Sequence, residues 1–195
     1  MTYHKKSSEY VSDTNSDVAV ASTVAVTGFK PSAALLSLAR SGRSGIRRRQ
    51  VAILVGKGVE AATVKAIYTE LLAEGAMPRF VGSRQGKIAT ADNGTLDVEV
   101  SLYDGASVLY DAVVIADGDL SVQQLAKDIN TLNFIRQQYR HCTPFLAIGA
   151  GAQLLAKADV PLTLPSGLAD PALLVESAYE LKKALAAFKR TLAMH

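Results

Sequence analysis

A chain of 195 residues, 49% hydrophobic and 20% charged, has the size and composition of one globular core and needs neither metal nor disulfide to be stable. Its single cysteine, Cys142, excludes an intramolecular disulfide and fits a reducing cytoplasm, where the protein is expected to reside. A net charge of +3 is too small an excess to imply a nucleic-acid partner, and no apolar run approaches the roughly 18 residues of a membrane-spanning helix, so no membrane association is expected.

Residues 1–29 are expected to form a disordered arm, because they are rich in Ser, Thr, Val and Asp and poor in bulky apolar anchors. Their start lacks the apolar stretch of a secretory signal. Residues 30–50 read as a linker with a short helix and a basic cluster. PSAALLSLAR places Ala34, Leu35 and Leu38 at helical spacing behind a proline suited to a first turn. Arg40, Arg43, Arg47, Arg48 and Arg49 follow without interleaved aromatic side chains, which fits a solvated boundary and not a base-stacking surface.

The domain proper is expected over 51–195. VAILV is a β-branched apolar run bounded by Gly56 and Gly58, as in a buried parallel strand. A helix over 60–74 follows, with Val64, Ile67, Leu71 and Leu72 as its apolar positions and Gly75 as its stop. A second strand is expected at 79–82, one or two edge strands at 87–100 around Asp92-Asn93-Gly94, and a fully apolar strand, AVVIA, at 112–116. One helix is expected over 121–139 from the stripe Leu125, Ile129, Leu132 and Ile135; PFLAI is the last buried strand, 150–157 a short helix and 176–194 a long one. Strands alternating with helices at this spacing predict an α/β fold, a doubly wound, mostly parallel sheet with helices on both faces. Any ligand should then sit at the carboxyl ends of the strands.

In that fold the informative places are the turns leaving Val55, Ala116 and Ile148. The small residues from Ala147 to Ala152 permit the sharp strand-to-helix reversal of a nucleophile elbow, yet the apex is Gly149, which has neither thiol nor hydroxyl. Gly149-Ala150-Gly151 lacks the third glycine of a dinucleotide fingerprint and the lysine of a phosphate loop, so close packing explains it better. Cys142 precedes the last strand, at the opposite end from the elbow, and reads as a structural cysteine. His4, His141 and His195 have no metal-ligand spacing. Glu60 has two readings: a solvated acid at a helix N-terminus or a buried carboxylate of a binding site.

Four ordered segments, VAILVGKGVEAATVKAIYTELLAEGA, SVLYDAVVIADGD, FIRQQYRHCTPFLAIGAGAQLL and ADPALLVESAYELKKALAAF, resemble the C-terminal domain of the large-subunit haem catalases. That domain is flavodoxin-like and similar to the class I glutamine amidotransferase superfamily with its PfpI-type proteases. The resemblance covers about 31–195, since KPSAALLSLAR is similar to the catalase linker. It implies a dismantled site. Gly149 stands where active PfpI-type members have their cysteine, and Ala150 where many proteases have histidine. Thr63 takes the place of the acidic residue that contacts the cysteine, while Glu60 matches only an earlier acidic position. Asp117-Gly118 replaces the usual Gly-Gly, altering the oxyanion-binding backbone.

No catalytic residue, metal or cofactor is therefore expected in this chain, because the catalases hold their haem in a large separate barrel. The resemblance implies a non-catalytic stability, chaperone-like or interaction module linked to peroxide stress. Its implied partners are a second copy in a homodimer, a catalase core or client proteins. The alternatives are a PfpI-type hydrolase or small-molecule binder with an atypical site near Glu60, Asp117 and Gly149, and a piece of a longer catalase gene.

Overall fold

The computed structural model describes residues 45–103 and 109–195; the expected arm and the helix expected at 31–40 lie outside them. The apolar run that opens the domain becomes strand β1 (Gln50–Leu54), whose last four residues are fully buried. It pairs in parallel with β2 (Met77–Gly82) on one side and β6 (Ala112–Ile115) on the other, in the registers Ile53↔Phe80 and Ile53↔Val114. The short β5 (Val100–Ser101) extends the sheet beyond β2, and β7 (Phe145–Ile148) and β8 (Leu173–Glu176) extend it beyond β6. The order is β5-β2-β1-β6-β7-β8 with every pairing parallel. The chain therefore changes direction across the sheet between β1 and β6, which is the switch point of a doubly wound fold.

Side chains alternate across each strand, and both sets are buried. Val51, Ile53, Val114 and Ile148 face α1 (Ala61–Ala73), through Val64, Ile67 and Leu71, and α5 (Leu181–Met194), through Leu185, Phe188 and Leu192. Ala52, Leu54, Ile115 and Phe145 face α2 (Asp119–Ala126), α3 (Ile129–Arg140) and α4 (Gly151–Lys157), through Leu125, Ile135 and Leu154. Burial on both faces is why the central strands read as unbroken apolar runs. Lys189 ties α5 to α1 by ion pairs with Glu70 (3.0 Å) and Glu74. The Glu74 hydrogen bond holds the Lys189 ammonium pKa above the usual lysine range, against its partial burial. No helix among the described residues is long and apolar enough to cross a membrane.

The elements differ from the expectations at several places. The single helix over 121–139 is two, because Asp128 leaves the helical conformation and its Oδ1 accepts the Asn130 N–H at 3.0 Å as the N-cap of α3. Ile129, taken as part of one stripe, is exposed as a result, and so is Leu72 on α1. Of residues 87–100 only Val100 joins the main sheet, in its edge strand β5; the others do not. They make a separate antiparallel hairpin of β3 (Gly86–Ala89) and β4 (Thr95–Val98), which adds Leu96 and Val98 to the core and bonds Ala91 N–H to the Val59 carbonyl. Strand β8, whose apolar run Leu173-Leu174-Val175 was not read as a strand, has one buried residue, Leu173. The last helix begins at Leu181, after an extended Ser177 and a 3₁₀ turn at Ala178–Glu180, and not at 176. The core also reaches back before 51, since Ile46 is 1% exposed and packs with β1.

If Asp128 alone separates the two helices, Asp128→Ala should lower the unfolding free energy by about 0.5–2 kcal/mol. Urea denaturation followed by circular dichroism measures it; an unchanged midpoint would show that the cap contributes nothing.

Candidate functional site

The turn after β7 has the backbone of an elbow. Gly149 has φ +54°, its N–H donates to the Glu176 carbonyl at 2.9 Å, and Ala150 is the N-cap of α4. A positive φ is one that side chains adopt only under strain, and nucleophile elbows impose it to raise the nucleophile over backbone amides. Gly151 approaches β6 closely: a Cβ there would lie 2.8 Å from the Ile115 carbonyl oxygen. The second glycine thus serves packing, as the sequence suggested, and cradles nothing.

What fills the space above Gly149 is the Asp117 carboxylate, from the loop that follows β6. Asp117 Oδ1 accepts the Ala150 N–H at 2.9 Å and the Gly118 N–H at 2.8 Å. A Cβ at position 149 would collide with both carboxylate oxygens and the carbon between them. The Asp117 carbonyl accepts the Glu60 N–H at 3.2 Å, so this residue joins the loops after β1, β6 and β7. Gly118, φ +125, permits that convergence, because a Cβ there would lie 2.7 Å from the Gly58 carbonyl oxygen. Backbone N–H groups that could receive a developing oxyanion are therefore hydrogen-bonded to an anion the chain itself supplies.

The same holds one strand over. The Gly56 N–H donates to Ser121 Oγ at 2.8 Å in a buried contact, and the Lys57 N–H donates to Gln124 Oε1 at 2.8 Å. Both acceptors lie on α2 and were missed in the sequence, where no motif marks them. Of the six positions singled out, Asp117, Gly118, Gly149 and Ala150 form one network, with Glu60 joined through its backbone N–H alone. The Glu60 side chain is exposed at the N-cap of α1 without a capping bond, which is the solvated arrangement. Thr63 is half-buried in the first turn of that helix, outside the network. Cys142 is exposed, contrary to the expected structural role near the core: it ends α3 at φ +55, which turns the chain towards β7. Its carbonyl lies 2.7 Å from His195 Nε2. Among the described residues no three His, Cys, Asp or Glu side chains gather to hold a metal ion.

A parallel sheet wound on both faces, with a positive-φ elbow between β7 and a short helix, places the chain in the DJ-1/ThiJ/PfpI-like class of folds. It is similar to a ThiJ/PfpI domain protein from Brachyspira murdochii, at a TM-score of 0.66 and 14% identity, covering 77% of this chain and 99% of that one. It is also similar to a two-domain protein from Anabaena variabilis with DJ-1/ThiJ/PfpI-like and ferritin-like domains, at 0.67 and 20% identity, covering 74% and 50%. At such identities the likeness is one of fold. The family of C-terminal domains found in long catalases matches residues 47–192, and the chain belongs to that family. Its relatives include Catalase HPII of Mycobacterium avium, 36% identical over 132 residues, which are 67% of this chain and 19% of that protein. Catalase-1 of Neurospora crassa is 30% identical over 113 residues, or 58% and 15%. The chain thus spans about a fifth of the length of the first of these relatives.

The collision between a side chain at 149 and the Asp117 carboxylate makes the two positions non-additive. Gly149→Cys should destabilise the protein by about 2 kcal/mol or more with Asp117 present, and by about 1–2 kcal/mol less in an Asp117→Gly background. Urea melts of the four proteins provide the cycle, and equal penalties in both backgrounds would disprove the clash.

Proposed function

We propose that this domain is a non-catalytic module of the catalase C-terminal family that acts in the cytoplasm through protein association, stabilising a catalase core or client proteins and pairing with itself. The observation that carries this reading is the Asp117 carboxylate, which sits over Gly149 and accepts the amides of Gly118 and Ala150. A nucleophile, an acidic partner for it and an unoccupied oxyanion site are all needed for the superfamily's hydrolytic chemistry. Gly149 and Thr63 leave the first two positions without the necessary groups, and Asp117 fills the third.

Association is supported at the other side of the sheet. Among the described residues strand β8 is an edge, and the chain around it leaves Leu168, Val175 and Tyr179 exposed, Tyr179 fully so. An unpaired strand edge with apolar side chains is the kind of surface that another protein covers. The rival reading, a hydrolase or small-molecule enzyme working through Glu60, requires a reacting group for that carboxylate to assist.

Two measurements separate the readings. Equimolar protein should slow the light scattering of a heated test enzyme and of a long catalase lacking its own C-terminal domain. Hydrolase, glyoxalase and deglycase assays should give no turnover above buffer, with or without Gly149→Cys. Absence of protection in both mixtures would refute the association reading, and turnover abolished by Glu60→Ala would establish the enzyme instead.

A further inference from the structure

A second region at the carboxyl ends of the strands is open, unlike the elbow. Between the ends of β1 and β2 lies a cavity of about 720 Å³, walled by Lys57, Arg84, Lys87 and Gln124 with Ile88 and Val98 behind them. It shares Ser83, Arg84 and Gln124 with a neighbouring cavity of about 570 Å³, which adds Lys127, Asp128 and Tyr103. The two form one cleft. Each volume falls within the range of about 300–1,000 Å³ usual for small-molecule sites.

The charge of this cleft is one-sided. Among the described residues it is lined by four cationic side chains, Lys57, Arg84, Lys87 and Lys127, and by one carboxylate, Asp128. Asp128 is already committed as the cap of α3, to the Asn130 N–H. None of the four cations forms an ion pair with a described residue. The nearby carboxylates do not answer them: Glu99 is bonded to Arg79 at 3.0 Å, and Asp97, opposite Lys87 in the hairpin register, makes no ion pair with it. Unpaired cations converging on a concave surface raise the local concentration of anions. The location agrees with the topology, since Lys57 follows β1, Arg84 follows β2, and Gln124 lies on the helix after β6 with Lys127 as its C-cap, next to the switch point.

One wall limits the class of anion. Tyr103 is 81% exposed beside Arg84 and Lys127, so its ring is free to stack on a planar group while the cations hold phosphates. Because the Gly56 and Lys57 amides are bonded to Ser121 and Gln124, the side chains and not the backbone must hold the charge. We infer that this cleft is a binding site for a nucleoside phosphate, with the phosphates on Arg84, Lys87 and Lys57 and the base against Tyr103. The inference is independent of the association reading above.

Isothermal titration of the full chain at low salt with ADP, adenosine, pyrophosphate and poly-glutamate tests it. ADP should bind, adenosine should give no heat, and added salt should weaken the ADP complex. Arg84→Ala combined with Lys87→Ala, both exposed positions, should weaken ADP by about tenfold or more without changing the melting temperature. Tyr103→Ala should weaken ADP while leaving pyrophosphate unchanged. The inference is overturned by no ADP binding at ~1 mM, or by a double variant that binds as before. Pyrophosphate binding as tightly as ADP with no Tyr103 effect would also overturn it, as would poly-glutamate binding where ADP does not, which would assign the cleft to an acidic protein.

Discussion

The Asp117 carboxylate holds together the end of the molecule where this fold ordinarily does its chemistry. Strand ends and helix starts in an open α/β sheet present backbone N–H groups that no ladder or helix satisfies, and each needs a partner. Water, a ligand or a side chain can serve. In this chain Asp117 serves for Gly118 and Ala150, Ser121 for Gly56, and Gln124 for Lys57. Bonds to a charged acceptor contribute more than neutral ones, about 1.5–3 kcal/mol against about 1, so the Asp117 pair is the stronger of these ties. Its carbonyl bond to Glu60 adds the loop after β1, and the three loops close on one another.

Seen from this carboxylate, the glycine at the elbow and the acid after β6 fit each other. Gly149 retains the positive φ of an elbow, which costs glycine little, and its missing side chain leaves the room that Asp117 occupies. A side chain at 149 would meet the Asp117 carboxylate where it sits, so the carboxylate would have to turn aside and give up the Ala150 amide. A nucleophile at 149 and this carboxylate also conflict electrostatically, since an oxyanion at these amides would have to displace or neighbour a negative charge. A domain so arranged keeps the backbone of its class while its donors are spent on cohesion, in agreement with membership of a family defined as a part of longer catalases.

How much of this could be read beforehand depended on whether the signal was local. Strands β1, β6 and β7 were legible because burial on both faces makes them short unbroken apolar runs, and α1 because Val64, Ile67 and Leu71 keep helical spacing. Strand β8 was not read as one, although its run Leu173-Leu174-Val175 is apolar; only Leu173 of it is buried. The break between α2 and α3 was hidden by Leu125 and Ile129, whose four-residue spacing runs straight through the cap at Asp128. At the site, the vacant apex and the unusual Asp117 were visible from the order of segments. The hydrogen bonds that explain them join residues 33, 65 and 67 positions apart, and no periodicity encodes such pairs.

The same bonds account for where the remaining opening lies. The amides of Gly56, Lys57, Gly118, Gly149 and Ala150 are taken by partners within the chain, so none of these five is left to hold an anion. Side chains can recognise charge in place of these amides, because they reach further and need no fixed turn geometry. Lys57, Lys87 and Arg84, which form no ion pair with a described residue, line the cleft one step away, over β1 and β2, where the β3–β4 hairpin provides a wall that the parallel sheet alone would lack. That hairpin is fastened to the loop after β1 through Gly58 N–H on the Ala89 carbonyl and Ala91 N–H on the Val59 carbonyl. The closure of the old crevice and the walling of the basic cleft are therefore built from the same loop, with Gly56 and Lys57 bonded inward to α2 and Gly58 and Val59 bonded outward to the hairpin.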